Sequence, residues 1–171
     1  MRVGAQIDVA APAGAVWELI TDPARYLHFM AGITRWEVAG EEPAGLGARY
    51  RTLMRVGSAE VGGLVEVVEW DDGRDLAWTS VTGIDQRGRW RLRQREGPDR
   101  TRVELRLAYG VAGSGIFGWL AEQVAAPTVR GHLRRSLQQL KRQVEHEQLR
   151  LQAARRRGTG RASRTPTPDQ G

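Results

Sequence analysis

The chain has 171 residues, of which 40% are hydrophobic and 27% are charged, a composition that predicts one folded domain. It contains no Cys, which excludes a disulfide framework, a thiolate zinc site and a cysteine nucleophile. It has no run of eighteen apolar residues and no apolar leader after a basic start, so we expect a cytoplasmic protein without a transmembrane segment.

The formal net charge of +6 is concentrated at the C-terminal end. Residues 150–171 contain six Arg and one Asp, a net charge of +5. Residues 1–149 carry 20 basic and 19 acidic groups, a net charge of +1. A nearly neutral domain with a basic tail does not favour a nucleic-acid-binding domain, and it leaves such binding open only through the tail and one Arg-rich strand face.

The N-terminal residues first alternate between apolar and polar and then change to helical spacing. Alternation over 3–9 predicts a half-buried strand. Two short helices are predicted next, over 13–20 and 24–30. Asp22-Pro23 separates them, because the residue before a proline is disfavoured in the helical conformation.

Between Ile33 and Tyr109, turn-forming residues recur about every ten residues, which is typical of an antiparallel meander. The predicted strands are 33–39, 47–56, 59–70, 75–82, 86–95 and 101–110. Because side chains alternate between the two faces of a strand, one face of this sheet is charged and the other is apolar and aromatic. The facing of strand 59–70 stays open, since its apolar residues occupy both faces.

The charged face is clearest on strand 86–95, where five arginines share it: Arg87, Arg89, Arg91, Arg93 and Arg95. Like charges on one face repel unless carboxylates lie nearby, and Glu104 on the next strand offsets only part of this charge. The face could bind an anion, but no aromatic residue interleaves with the arginines to stack on bases. We interpret it as a solvated face with local ion pairs, with an anion site as the alternative.

A long amphipathic helix is predicted over 116–151, because apolar residues recur there at three- and four-residue spacing. Pro127 predicts a kink in this helix. The helix covers the apolar face, so the fold class is α+β, a curved antiparallel sheet of about seven strands around one long C-terminal helix. Residues 1–150 are predicted to form the domain, and residues 151–171 a disordered basic tail.

Three stretches of the chain resemble the START-like, or SRPBCC, superfamily and its polyketide cyclase/dehydrase-like branch. The opening IDVAAPAGAVWELITDPARYLHFM is similar to the first strand and helix pair of the superfamily. DLAWTSVTGIDQRGRWRLRQREGPDRTRVELRLAYG resembles successive strands of the branch, and HLRRSLQQLKRQVE resembles its terminal helix. The resemblance implies a helix-grip fold, in which the sheet wraps the C-terminal helix around an apolar cavity. Members of the superfamily bind lipids, sterols, quinones, polyketides or hormones.

The candidate ligand cavity lies on the apolar face, under the long helix. Thr52 and Ser80 are candidate polar groups that orient a ligand, although either could be an ordinary sheet residue. The Trp residues on the strands either fill the core or wall a pocket for a planar ligand, and the two roles are compatible. The predicted cavity residues are Tyr50, Thr52, Met54, Trp78, Ser80, Trp90, Leu92, Leu105, Leu107, Tyr109, Phe117, Leu120 and Val124.

No catalytic residue is assigned from the sequence. His28, His132 and His146 form no metal-binding spacing, so we predict no metal and no cofactor. The leading hypothesis is binding, or carriage, of a hydrophobic small molecule such as a lipid, quinone or polyketide. The first alternative is a polyketide cyclase or aromatase that uses the same cavity. The second is an RNA or ribosome interaction module that uses the Arg-rich face and the tail.

Overall fold

The structure is a computed structural model that describes the backbone of residues 1–110 and 115–162, and the side chains of residues 1–110 and 126–157. A 3₁₀ turn, Pro23–Arg25, joins the first two helices. The elements follow in the order β1 (Arg2–Val9), α1 (Ala13–Thr21), α2 (Tyr26–Phe29), β2 (Ile33–Val38), β3 (Arg49–Val56), β4 (Ala59–Asp71), β5 (Asp75–Gly83), β6 (Asp85–Gln94), β7 (Thr101–Gly110) and α3 (Gly115–Ala162).

The seven strands form one antiparallel sheet in the order β1-β7-β6-β5-β4-β3-β2. Each strand from β2 to β7 pairs with its sequence neighbour, and β1 closes the order by pairing with β7. The predicted meander is therefore confirmed, and strand ends differ from the predicted ones by only a residue or two. The predicted helix over 24–30 is shorter, since its first residues form the 3₁₀ turn.

A register shift in β4 explains why its facing could not be read from the sequence. Val65 and Val67 are buried, whereas Val68 is 50% exposed. The pairing of β4 with β5 shifts between Val67 and Glu69, so Val68 is the extra residue of a β-bulge. After the bulge, Trp70 returns to the inner face and packs edge-on against Trp17 of α1.

Helices α1 and α2 cover one end of the inner sheet face. Val16, Leu19 and Phe29 are fully buried there against the sheet. The indole Nε1 of Trp90, also fully buried, donates to the Tyr26 hydroxyl at 2.9 Å, which satisfies its one polar group.

Helix α3 is fixed to the N-terminal elements by side chains on its central turns. The Ser136 hydroxyl accepts from the backbone amide of Ala31 at 2.9 Å, and the Glu145 carboxylate accepts from that of Ala10 at 2.7 Å. Lys141 donates to the carbonyl of Asp8 at 2.7 Å. These bonds hold α3 across the sheet, as the predicted α+β arrangement requires.

Helix α3 is longer than the sequence predicted. It runs to Ala162 and so passes the predicted end at residue 151. Its residues 152–157, Gln-Ala-Ala-Arg-Arg-Arg, are strong helix formers, and the prediction gave more weight to their lack of apolar content than to this propensity. The rest of the predicted disordered tail, 163–171, lies outside the described residues. Among the described residues, no helix is both long and apolar enough to cross a membrane.

Candidate functional site

A cavity of about 240 Å³ lies between the inner sheet face and α3. Its described walls come from the loop and strand after α2, from β3 to β7, and from α3. The described residues that line it are Met30, Ile33, Trp36, Thr52, Met54, Val56, Ala59, Val61, Gly62, Trp78, Ile84, Gln86, Leu105, Leu107, Tyr109, Val129 and Leu133.

The cavity exists because the short helices cover only part of the sheet. We call the part under α1 and α2 the closed end, represented by Val16, Leu19, Phe29, Trp90 and Leu92. All five of these side chains are at most 2% exposed, and none lines the cavity. The part around the cavity is called the hollow end. There the described cover comes from α3 and the loop after α2, and a gap remains between the two layers.

Gly88 gives Trp78 its position in the cavity wall. The two residues face each other across β5 and β6. A Cβ atom at position 88 would overlap the six-membered ring of Trp78, so only glycine allows the indole to lie against the neighbouring strand. Because of this packing, the Trp78 side chain lies along the wall of the cavity and does not fill it.

An aromatic stack holds the second Trp of the wall. The ring of Trp36 stacks on Tyr26 at 4.0 Å and on Tyr50 at 5.1 Å, and meets Trp78 edge-on at 6.4 Å. Burial raises the pKa of the Tyr50 hydroxyl and strongly raises that of Tyr26, so both stay neutral at physiological pH. The indole Nε1 of Trp36 is buried without a hydrogen-bond partner among the described residues.

Two polar side chains in the wall bond to each other. Thr52, only 4% exposed, donates through its hydroxyl to the carbonyl of Gly63 at 3.4 Å. The same hydroxyl oxygen accepts from Nε2 of Gln86 at 3.4 Å. Tyr109 lines the same wall. The cavity therefore offers a few uncharged polar groups on an otherwise apolar surface, which is the usual make-up of a small-molecule site.

The structure brings six of the predicted cavity residues together in the wall. They are Thr52, Met54, Trp78, Leu105, Leu107 and Tyr109. Phe117, Leu120 and Val124 lie outside the residues whose side chains are described.

Four predicted cavity residues do not line the cavity. Trp90 and Leu92 belong to the closed end, because α1 and α2 cover them. The Tyr50 hydroxyl donates to the carbonyl of Pro43 at 2.8 Å, and its ring lies behind Trp36. The Ser80 hydroxyl accepts from the backbone amide of Gln86 at 3.2 Å, so it stabilises the turn between strands. Strand alternation identified the inner face correctly but not the end of the sheet at which each residue lies.

The predicted cavity residues omit several wall residues, among them Gln86, Val129 and Leu133. For Trp36, the sequence left open whether it fills the core or walls the cavity. A signal existed for Gln86, because alternate residues of a strand point to the same face. Gln86 therefore shares the inner face of β6 with Gly88 and Trp90. No comparable signal separates Leu133, which lines the cavity, from the next leucines of α3, which do not. All of them lie on the same apolar stripe of the helix.

Carboxylates accompany three of the five arginines on the predicted anion face. Asp75 lies 3.0 Å from Arg91 and 2.8 Å from Arg93, and Arg89 contacts both Asp75 and Glu69. Burial raises the pKa of Asp75, but the hydrogen bonds from Arg93 and Arg91 outweigh it, so the net pKa is below its ordinary value. This geometry agrees with a solvated face that carries local ion pairs.

Arg87 and Arg95 complete the predicted anion face. Both are exposed, and neither has an ion pair among the described residues. An anion site on this face stays a prediction.

Histidines and carboxylates do not form a metal site in the described part of the chain, where no group of three or more His, Asp or Glu comes together. His132 packs on Gly32, where a Cβ atom would overlap the imidazole, and its Nδ1 is buried without a partner among the described residues. Burial, and then the charge of Arg135, lower its pKa. His132 does not line the cavity, and no described cavity residue is a His, Asp or Glu.

Solved structures with the same fold come from several bacteria. The protein TTHA0849 from Thermus thermophilus is 26% identical, with a TM-score of 0.72 over 84% of this chain and 97% of that chain. Zhui aromatase/cyclase from Streptomyces sp. R1128 is 21% identical, with a TM-score of 0.71 over 85% of this chain and 93% of its own.

A START superfamily protein from Mycobacterium smegmatis is 17% identical, with a TM-score of 0.65 over 84% of this chain and 98% of that chain. The likeness to it and to the Streptomyces protein confirms the helix-grip fold. No curated protein matches the chain. The model of one family, described as polyketide cyclase / dehydrase and lipid transport, matches residues 1–145. The chain therefore belongs to the polyketide cyclase/dehydrase and lipid transport family.

Proposed function

We propose that this protein binds a hydrophobic small molecule in the cavity between the sheet and α3, and that it acts as a binding or carrier protein. The observation that carries the proposal is the cavity itself, about 240 Å³ and walled mainly by apolar side chains. An apolar cavity of about 150 Å³ accommodates benzene in another protein. The volume here suits a ligand larger than a single ring.

The driving force for such binding is the removal of apolar surface from water. Each Å² of apolar surface that the ligand buries contributes about 25 cal/mol, before the cost of immobilising the ligand. The wall needs little rearrangement, because Trp36 is held by ring stacking and Trp78 by its contact with Gly88. A preformed wall lowers the cost of ordering side chains on binding.

A matched pair of substitutions on β3 tests the proposal. Met54 lines the cavity, whereas its neighbour Leu53 is also partly buried but points to the opposite face. Met54→Trp fills the cavity and should weaken binding of the neutral dye N-phenyl-1-naphthylamine at least about tenfold, while Leu53→Trp should leave it within about twofold. Fluorescence titration measures both.

Extraction of the purified protein, followed by mass spectrometry, provides a measurement that needs no variant. A small molecule that co-purifies with the wild type and not with Met54→Trp supports the proposal. Equal dye binding by both Trp variants, with both folded by circular dichroism, would contradict it.

Tyr109 supports a second candidate function, that of a polyketide cyclase or aromatase. A general acid or base must lie within hydrogen-bond reach of the reacting group, and Tyr109 is a residue of the described wall whose side chain carries an ionisable hydroxyl. The Zhui aromatase/cyclase has the same fold.

A linear poly-β-ketone incubated with the protein tests this second function. If the protein is an enzyme of this kind, it should change the distribution of cyclised products. Tyr109→Phe should then abolish the change while leaving dye binding intact. A product distribution identical with and without protein would rule it out for that substrate class.

A further inference from the structure

The described wall of the cavity contains no charged side chain. The lining residues that carry a polar side-chain group are Thr52, Gln86, Trp36 and Tyr109. Residues 111–125 contain no Lys, Arg or His, and their one ionisable residue is Glu122, which is an acid. Neither the described wall nor residues 111–125 contain a basic side chain. An anionic group of a ligand inside the cavity would therefore lose its hydration without gaining a cationic partner from them.

Within the wall, the Gln86 amide has both donor and acceptor capacity to spare, whereas the buried Nε1 of Trp36 is a donor only. The Thr52 hydroxyl uses its hydrogen on the carbonyl of Gly63 and accepts from Nε2 of Gln86. No hydrogen bond of the described residues uses the side-chain oxygen of Gln86, and the amide nitrogen keeps a second hydrogen. This amide can accept from a hydroxyl or donate to a carbonyl.

We infer that the ligand is an uncharged apolar molecule that carries a hydroxyl or carbonyl group, and that the Gln86 amide binds this group. The inference rests on the proposed function and names the chemical class of its ligand. Fatty acids and other carboxylates are disfavoured, because they enter only in the protonated form. For a carboxyl group with a pKa of about 4.3, only roughly one molecule in 500 is protonated at pH 7. The apparent affinity at pH 7 is therefore roughly 500-fold lower than the affinity of the neutral form.

Three probes with one carbon skeleton test the inference: naphthalene, 2-naphthol and 2-naphthoic acid. Each displaces N-phenyl-1-naphthylamine from the wild-type protein in a fluorescence competition at pH 7. We expect 2-naphthol to bind about threefold to tenfold more tightly than naphthalene, the gain of one net hydrogen bond. We expect 2-naphthoic acid to bind at least about 100-fold more weakly than 2-naphthol.

The pH dependence of the same competition separates the charge of the probe from its shape. Between pH 7 and pH 5 the affinity for 2-naphthoic acid should rise about tenfold per pH unit, because the neutral acid becomes more abundant. The affinity for 2-naphthol should not change.

Gln86→Leu tests the anchoring group, with Gln94→Leu at the far end of the same strand as its control. Gln94 lies outside the cavity wall and donates to the carbonyls of Gly97 and Pro98. We expect Gln86→Leu to remove the preference for 2-naphthol over naphthalene, measured as the ratio of the two affinities. Gln94→Leu should keep the preference.

The outcomes distinguish the inference from the function on which it rests. If none of the three probes displaces the dye, the proposed function fails with the inference. If the acid binds as tightly as the alcohol at pH 7, the ligand class is wrong while the binding function stands. If Gln86→Leu keeps the full preference for 2-naphthol, Gln86 is not the anchor.

Discussion

The closed end and the hollow end lie on the same face of the same sheet, yet only one of them is filled. At the closed end, α1 and α2 bring a second layer of side chains down onto Trp90 and Leu92, which are at most 2% exposed. At the hollow end, equally apolar side chains such as Leu105 and Leu107 face a cavity. Apolar residues that line a void make fewer packing contacts, so we expect the residues of the hollow end to stabilise the fold less than those of the closed end.

Two leucines one turn apart on α3 provide the largest expected contrast. Leu137 is 1% exposed and away from the cavity, whereas Leu133 is 2% exposed and lines it. Leu137→Ala should lower the free energy of unfolding by about 4–5 kcal/mol, because it opens a new void in close-packed surroundings. Leu133→Ala should cost only about 2–3 kcal/mol, since part of its surroundings is already empty.

Urea unfolding at pH 7 measures the difference between these two variants. Equal losses of stability would show that the hollow end is as tightly packed as the closed end. Leu133→Ala should also admit bulkier probes than the wild type, which Leu137→Ala should not.

The tryptophans give a second matched pair, with a smaller effect. Trp90→Phe loses volume and also removes the indole donor from the buried Tyr26 hydroxyl, which should cost about 2–3 kcal/mol. Trp78→Phe removes ring atoms from a wall that already borders the cavity, and should cost less than half as much. Thermal unfolding followed by circular dichroism compares them, and a larger loss for Trp78→Phe would reverse the assignment of the two ends.

Asp75, on the outer face of the sheet, should contribute less than the buried Leu137 or Trp90. Asp75→Asn leaves three partly exposed arginines without their shared carboxylate, and we expect a loss of about 1–2 kcal/mol at pH 7. The folded-state pKa of Asp75 is below its ordinary value of 3.8. Its contribution is therefore fully present above that value and disappears as the pH falls through the folded-state pKa.

The pH dependence of the difference between wild type and Asp75→Asn checks the sign. The two unfolding free energies should differ by a constant amount from neutral pH down to about pH 5, and should converge only in stronger acid. A difference that grew on acidification would contradict this account.

His132, beside Leu133 at the border between the two ends, should have the smallest effect. Its folded-state pKa is lower than the ordinary 6.5, because burial and the charge of Arg135 both disfavour the imidazolium. Below pH 6.5 the unfolded chain takes up the proton more readily, so stability falls as the pH falls through this range. His132→Gln should remove that part of the pH dependence, and the exposed His146→Gln should retain it. Identical pH profiles for the two variants would refute the prediction.

The sequence was sufficient for the strands, the long helix and the inner face of the sheet, because these follow from local periodicity. It was not sufficient for the division into two ends. Leu92 and Leu107 have the same chemistry and both face the inner side of the sheet, and only the placement of α1 and α2 separates the filled end from the cavity. The bulge at Val68 and the extension of α3 to Ala162 were missed for a related reason, since each depends on pairing or propensity that an apolar pattern does not display.

The two indoles in the described cavity wall have a practical consequence for testing small-molecule binding. Trp36 and Trp78 border the cavity, whereas Trp17, Trp70 and Trp90 lie outside its described wall. Two fluorescent indoles thus lie beside the cavity, and three others lie outside its described wall. A molecule that quenches the fluorescence of Trp36 and Trp78 and leaves that of the other described indoles unchanged would show that it binds in the cavity. A crude extract can therefore be screened by intrinsic fluorescence without any added dye.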